Sequence, residues 1–263
     1  MGDPALIAEF LLRSLGTASI VLVVVLAAGR FGPVVAGALA GLPMILAPGH
    51  AFLLWESGPD FVERAATASL ASLAGTQIAI GAFALLARRG LVVPLLGATL
   101  GWALAAGLSA AFPPTPIPAA GMFLTALVGA RTLSGRARLG QVMPVAVSGL
   151  GSVIVRALVA GLLVAVATLV ARLAGPFVGG ILLAFPIGIL MIAASLQARY
   201  GAPAAIETAY AATLGVGSLA TFTFALTQTL PHLAPAAAFA TSLGAAVLVT
   251  LAVAAPALRR PAR

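Results

Sequence analysis

Apolar residues run along this chain in long blocks, interrupted by short clusters of Pro, Gly and Arg. Breaking it at those clusters predicts nine helical spans, at 4–29, 33–56, 62–87, 91–112, 117–131, 142–171, 175–198, 203–229 and 233–257. Blocks of this kind suit a hydrocarbon core of about 30 Å. The alternating segments of roughly ten residues that a membrane β-barrel requires are absent. The expected fold class is therefore all-α, a polytopic membrane protein. The fifth span, "PAAGMFLTALVGA", is shorter than the usual length of about 20 residues. It reads as a tilted or partly interfacial linker helix.

Composition sharpens the class. Of 263 residues 62% are hydrophobic and 8% charged, whereas soluble domains carry about 25% charged residues. Connections between spans are short, so no soluble catalytic domain remains. The net charge of +8 does not signal nucleic acid, because the arginines sit at helix ends and form no binding face. With no cysteine and two histidines, His50 and His232, neither thiol chemistry nor a His-rich metal site is expected. No cofactor motif, phosphate loop or nucleophile elbow occurs, so an enzyme is not expected. The start, "MGDPALIAEF", lacks a basic leader and reads as part of the first span. Leu6 stands where a myristoylation signal needs Ser or Thr.

Arginine placement orients the chain. With the N-terminus outside, ten of the fourteen arginines fall on cytoplasmic segments: Arg30, Arg88, Arg89, Arg131, Arg136, Arg138, Arg199, Arg259, Arg260 and Arg263. Only Arg64 and Arg172 fall at outer ends, near Glu56, Asp60 and Glu63. This bias follows the positive-inside rule. It requires the fifth span to cross.

One phrase occurs twice. "GPVVAGALAGLP" at Gly32–Pro43 and "GPFVGGILLAFP" at Gly175–Pro186 share six of twelve positions at an offset of 143 residues. The same offset relates Arg13 to Arg156, Leu15 to Leu158 and Gly58 to Gly201, and Gly75 meets Gly217 after a slip of one. Residues 1–112 are thus one four-helix unit and 142–263 a second, joined by a linker helix and loop at 113–141. An odd number of crossings between them implies an inverted repeat, the plan of many secondary transporters.

Pro43 and Pro186 fall near the middle of their spans. Each removes a backbone hydrogen bond and clashes with a carbonyl one turn back. Paired interrupted helices mark a central binding site, here with Gly41 beside Pro43. The first copy adds Pro48 and Gly49 and reads as the more broken of the two. Arg13 and Arg156 lie close to mid-span, where a charge costs at least about 2.5 kcal/mol and marks a functional candidate. Their guanidinium forks suit an anion. Glu9, one turn from Arg13, is its candidate neutraliser; Arg156 has only Ser152 at the matching place. Thr76 and Gln77, beside Ser69 and Ser72, form a polar stripe on the third span, and Thr213 and Thr221 another on the eighth. These stripes either join helices or line a cavity. His50 and Glu207 are candidates for proton coupling, although Ala193 occupies the position equivalent to His50.

The second half resembles the GlpM family of small bacterial inner-membrane proteins. The residues that carry the resemblance are "GGILLAFP" (Gly179–Pro186), Gly201 within "RYGAPAAIETA" and the apolar run ending near Phe224. The first half matches more loosely through "AGALAGLP" (Ala36–Pro43) and Gly58. Members look like single four-helix units, so the resemblance implies two fused units in a bacterial inner membrane. It implies no activity or site.

Together these features predict a multi-pass transporter for a small anionic solute or lipid head group, working by alternating access around Pro43 and Pro186. The competing expectations are a non-transporting assembly subunit, with a second copy or another membrane protein as partner, and a small pore. The assembly subunit would hold each arginine on a carboxylate or carbonyl and leave no cavity.

Overall fold

The structure, a computed structural model, describes residues 4–30, 42–111, 115–138 and 149–258. These form helices α1 (Pro4–Arg30), α2 (Leu46–Ser57), α3 (Pro59–Leu86), α4 (Val92–Ala111) and α5 (Pro116–Ala137). The second half supplies α6 (Leu150–Ala174), α7 (Pro176–Leu183), α8 (Ile187–Tyr200), α9 (Ala202–Thr229) and α10 (Pro235–Leu258). A 3₁₀ turn, Ala87–Arg89, extends α3. Among the described residues seven helical segments are long and apolar enough to cross a membrane, α7 and α8 together counting as one. The protein is an all-α polytopic membrane protein.

Several expected boundaries move. The fifth span is a helix of 22 residues, Pro116–Ala137, longer than the apolar run because Thr132, Ser134 and Arg136 continue it. Of the second span, only the 12 residues Leu46–Ser57 are described as helix. Residues 31–41, which include Gly41 and most of the first copy of the motif, lie outside the described residues, as do 112–114 and 139–148, parts of the linker and the start of the sixth span. Pro48 does not break the chain a second time. It sits in the first turn of α2, where a proline's missing N–H has no intrahelical partner to lose. Among the described residues the seventh span is cut in two, at Ala184–Pro186.

Helix α3 forms the centre. In its most apolar stretch 78% of residues are buried, against 22% for α4, α5 and α10, which therefore present their leucines to lipid. Small residues make that burial possible, because lipid tails are as apolar as leucine and close backbone approach must hold the helices together. A methyl group at Gly180 on α7 would overlap the backbone of Ala65 on α3, and one at Gly161 on α6 would overlap the Ser14 carbonyl on α1.

Helices α1 and α6 run antiparallel. Along the pair, Glu9 meets Arg172, Arg13 meets Thr168, Ala18 meets Gly161, and Val21 clusters with Ala157. Helices α3 and α9 do the same: Gln77 bonds Thr213, and Phe83 and Ala87 cluster with Ala205 and Ile206. The loops repeat too. Gly58 (φ 80°, ψ 177°) and Gly201 (φ 82°, ψ 178°) precede α3 and α9 in the same conformation, one that only glycine adopts without strain.

Gly161→Ala is expected to destabilise the chain by about 1–3 kcal/mol through overpacking. Gly151→Ala, where an added methyl meets open space, should leave stability unchanged or slightly raised. Unfolding of the purified variants in an SDS titration checks the contrast.

Candidate functional site

The break at Pro186 follows from its chemistry. Pro cannot donate, so α7 closes on the tighter bonds Ala184 N–H to Ile181 O (3.2 Å) and Phe185 N–H to Leu182 O (3.1 Å). The Ile187 amide then turns back to Phe185 O at 2.8 Å, and Leu190 bonds Pro186 O at 3.0 Å to start α8. Pro43 has the same arrangement: Met44 to Leu42 O at 2.8 Å and Ala47 to Pro43 O at 2.8 Å. Both prolines are buried.

Carbonyls freed at the break need donors, since lipid offers none. Helix α3 supplies them with the predicted stripe. The Ser69 hydroxyl donates to Gly180 O (2.7 Å) and Thr76 to Ala184 O (2.7 Å), while Ser72 adds a second donor to Ile181 O (3.1 Å), which already takes the Ala184 amide. The stripe therefore binds helices together, and at these residues it lines no cavity.

His50 extends this ladder. Its ring is fully buried, with Nδ1 2.8 Å from Leu46 O and Nε2 3.3 Å from Ser69 Oγ. A continuous chain thus runs from the Leu46 carbonyl through imidazole and hydroxyl to the Gly180 carbonyl of the broken helix. Its three contacts take three protons. A neutral imidazole and one hydroxyl supply two, and an imidazolium supplies the third.

The two interrupted spans touch. Ile45 Cδ1 lies 3.8 Å from where a Cβ on Gly188 would stand, and these two positions are themselves 143 residues apart. Ala18 Cβ likewise stands 3.2 Å from a Cβ built on Gly161, again a pair related by that offset. Helices α2 and α8 both start at this crossing, and neither start has a side-chain cap. A helix start carries unsatisfied N–H groups and roughly half a positive charge. The two starts stand near each other here, half-buried at Ile45 and Gly188.

The arginines depart from expectation. Arg13 and Arg156 are not brought together: Arg13 bonds Thr168 at 3.1 Å, twelve residues beyond Arg156 on α6, a rise of about 18 Å. Arg13 is buried and already holds two carboxylates, Glu9 at 3.1 Å and Glu56. Glu9 also takes Arg172 at 2.6 Å, so two arginines and two glutamates neutralise one another. Glu56 was legible only as an acid at a helix end; tertiary folding turns it onto Arg13. Among the described residues Arg156 reaches only its own helix, bonding Ser152 O (3.1 Å) and Ser152 Oγ (3.2 Å). Arg13 is thus occupied by carboxylates, and Arg156 by its own helix, rather than either being held open for an anion.

The other candidates divide. The Gln77 amide donates to Thr213 O at 2.9 Å, and its buried Oε1 has no partner. Thr221 returns to its own helix at Gly217 O (2.9 Å) and joins no site. Glu207 grips Arg138 in a fork, 2.8 and 2.9 Å from Nε. Ile45, which meets Gly188 at the central crossing, was not singled out; reading the 143-residue offset past the prolines finds it.

Thr76→Val should cost about 1 kcal/mol, since it strips the donor from Ala184 O in a setting where such bonds average below that in water. Ser69→Ala, which cuts two links of the chain, should cost more. Arg13→Gln should destabilise by roughly 2 kcal/mol by leaving Glu56 unpaired, whereas Arg156→Gln should have a far smaller effect. SDS unfolding of the four variants ranks them; equal losses for Arg13 and Arg156 would contradict the assignment.

The chain matches no family model, no curated protein and no solved structure.

Proposed function

We propose that this protein is a permease for a small anion, built from two copies of a four-helix unit inserted in opposite directions. The observation that carries this reading is the approach of two half-helix starts, at Leu46 and Ile187, with Ile45 against Gly188. Antiparallel packing of α1 with α6 and of α3 with α9 supports the inverted repeat, as do the matched glycines Gly58 and Gly201 and the matched turns after both prolines. The anion is drawn by the convergent N–H groups and dipoles, not by arginine side chains. Here the crossing is closed, and its opening exchanges the hydroxyl ladder of Ser69, Ser72 and Thr76 for other partners as one unit rocks against the other.

His50 is the point at which a proton couples. Protonation completes the chain from Leu46 to Gly180 and so clamps α7 onto α3; deprotonation loosens it. The arginine asymmetry and the GlpM-like motif support a bacterial cytoplasmic membrane with the N-terminus outside.

A non-transporting assembly subunit is favoured instead by the neutralised Arg13 cluster and the tight α1–α6 seam. Flux in proteoliposomes separates the two readings. Acetate, lactate, chloride and inorganic phosphate serve as probes under an imposed pH gradient. The permease moves at least one of them, Gly188→Leu abolishes that movement without unfolding the protein, and His50→Gln removes its dependence on the gradient. Absence of flux for every probe would favour the assembly subunit.

A further inference from the structure

An open apolar groove of about 240 Å³ runs between α3 and α5. Ile78, Gly81, Leu85, Ala126, Gly129 and Leu133 line it. Its volume is below the roughly 300–1,000 Å³ of sites that enclose a drug-sized ligand. Its shape along two helices suits a single hydrocarbon chain. Gln77 closes the inner end, with its amide nitrogen turned to Thr213 O.

The other end is basic. Arg88 follows Leu85 by three residues and Arg136 follows Leu133 by three, so each continues the face that lines the groove. Arg88 also spans its mouth, donating to Ala137 O at 3.3 Å. Arg88, Arg89 and Arg136 are exposed, and none has a carboxylate partner among the described residues. The neighbouring acid, Glu207, is taken by Arg138 at 2.8 Å. Arg131 and Arg138 stack on Tyr210, with guanidinium carbons 4.2 and 4.1 Å from the ring centre, and so face away from the groove. Three guanidinium groups without a carboxylate partner among the described residues therefore stand at this end of the groove.

We propose that this is a binding site for an anionic phospholipid, its phosphate on Arg88, Arg89 and Arg136 and one acyl chain in the α3–α5 groove. The complementarity is specific on both counts. A planar guanidinium takes phosphate oxygens two at a time, and the groove beneath offers carbon surface at the depth an acyl chain occupies. The glycines make the room: a Cβ at Gly129 meets nothing within 4 Å. This site is separate from the central crossing and stands whether or not the protein transports.

The test uses the full chain in detergent, with dioleoyl phosphatidylglycerol and dioleoyl phosphatidylcholine titrated by native mass spectrometry. Phosphatidylglycerol should bind in preference. Each surface arginine contributes about fivefold, so Arg88→Gln with Arg136→Gln should weaken it about thirtyfold and remove the preference. Gly129→Leu, which fills the groove, should lower affinity for both lipids. Arg64→Gln, at the opposite end of α3, should change nothing. Equal binding of the two lipids to the unaltered chain, or full retention of phosphatidylglycerol by either groove or arginine variant, would overturn the proposal. So would loss of self-association in Gly129→Leu with lipid binding intact, which would assign the groove to a second copy.

Discussion

A carbonyl freed inside a membrane must find a donor within the protein, and at the Pro186 break the donors come from a neighbouring helix. Gly180, Ile181 and Ala184 present oxygens that a continuous helix would share with amides of the next turn. Ser69, Ser72 and Thr76 reach them because they lie at helical spacing on one face of α3, and because Gly180 lets α7 approach the Ala65 backbone. Glycine, proline and hydroxyl are thus one device. Remove the glycine and the hydroxyls fall short; remove the hydroxyls and the break is left unsatisfied.

That device explains why α3 is the most buried helix. It must carry hydroxyls towards α7, an amide towards α9, and small residues towards α4 and α5, so little is left for lipid beyond the strip at Ile78 and Leu85 that lines the groove. The helices at the rim face no such demand and expose leucines. The ion pairs follow the same economy. Arg13 is acceptable in the interior because Glu9, Glu56 and Thr168 surround it, whereas Arg156, which lacks a carboxylate, remains half-buried and coordinates its own helix.

The paired structure has a further consequence for function. When equivalent residues meet, as Ala18 meets Gly161 and Ile45 meets Gly188, small local changes act on both units at once. Helix starts that converge at such a crossing create positive potential without a charged side chain. His50 has Ala193 as its counterpart, so its hydrogen-bonded chain has no equivalent in the second half.

Membrane class and the long apolar helices were determined by the sequence itself, because each is written in local length and apolarity. The proline breaks and the hydroxyl stripe were also legible, since their spacing is helical and needs no partner to be seen. Partner choice was not. Whether Arg13 serves a ligand or Glu56, whether Thr76 lines a cavity or caps Ala184, and whether Pro48 breaks a helix or begins one depend on what stands opposite. Those decisions belong to the tertiary structure, because a side chain's hydrogen bonds and charge pairs are settled by three-dimensional neighbours that lie tens to more than a hundred residues away along the chain.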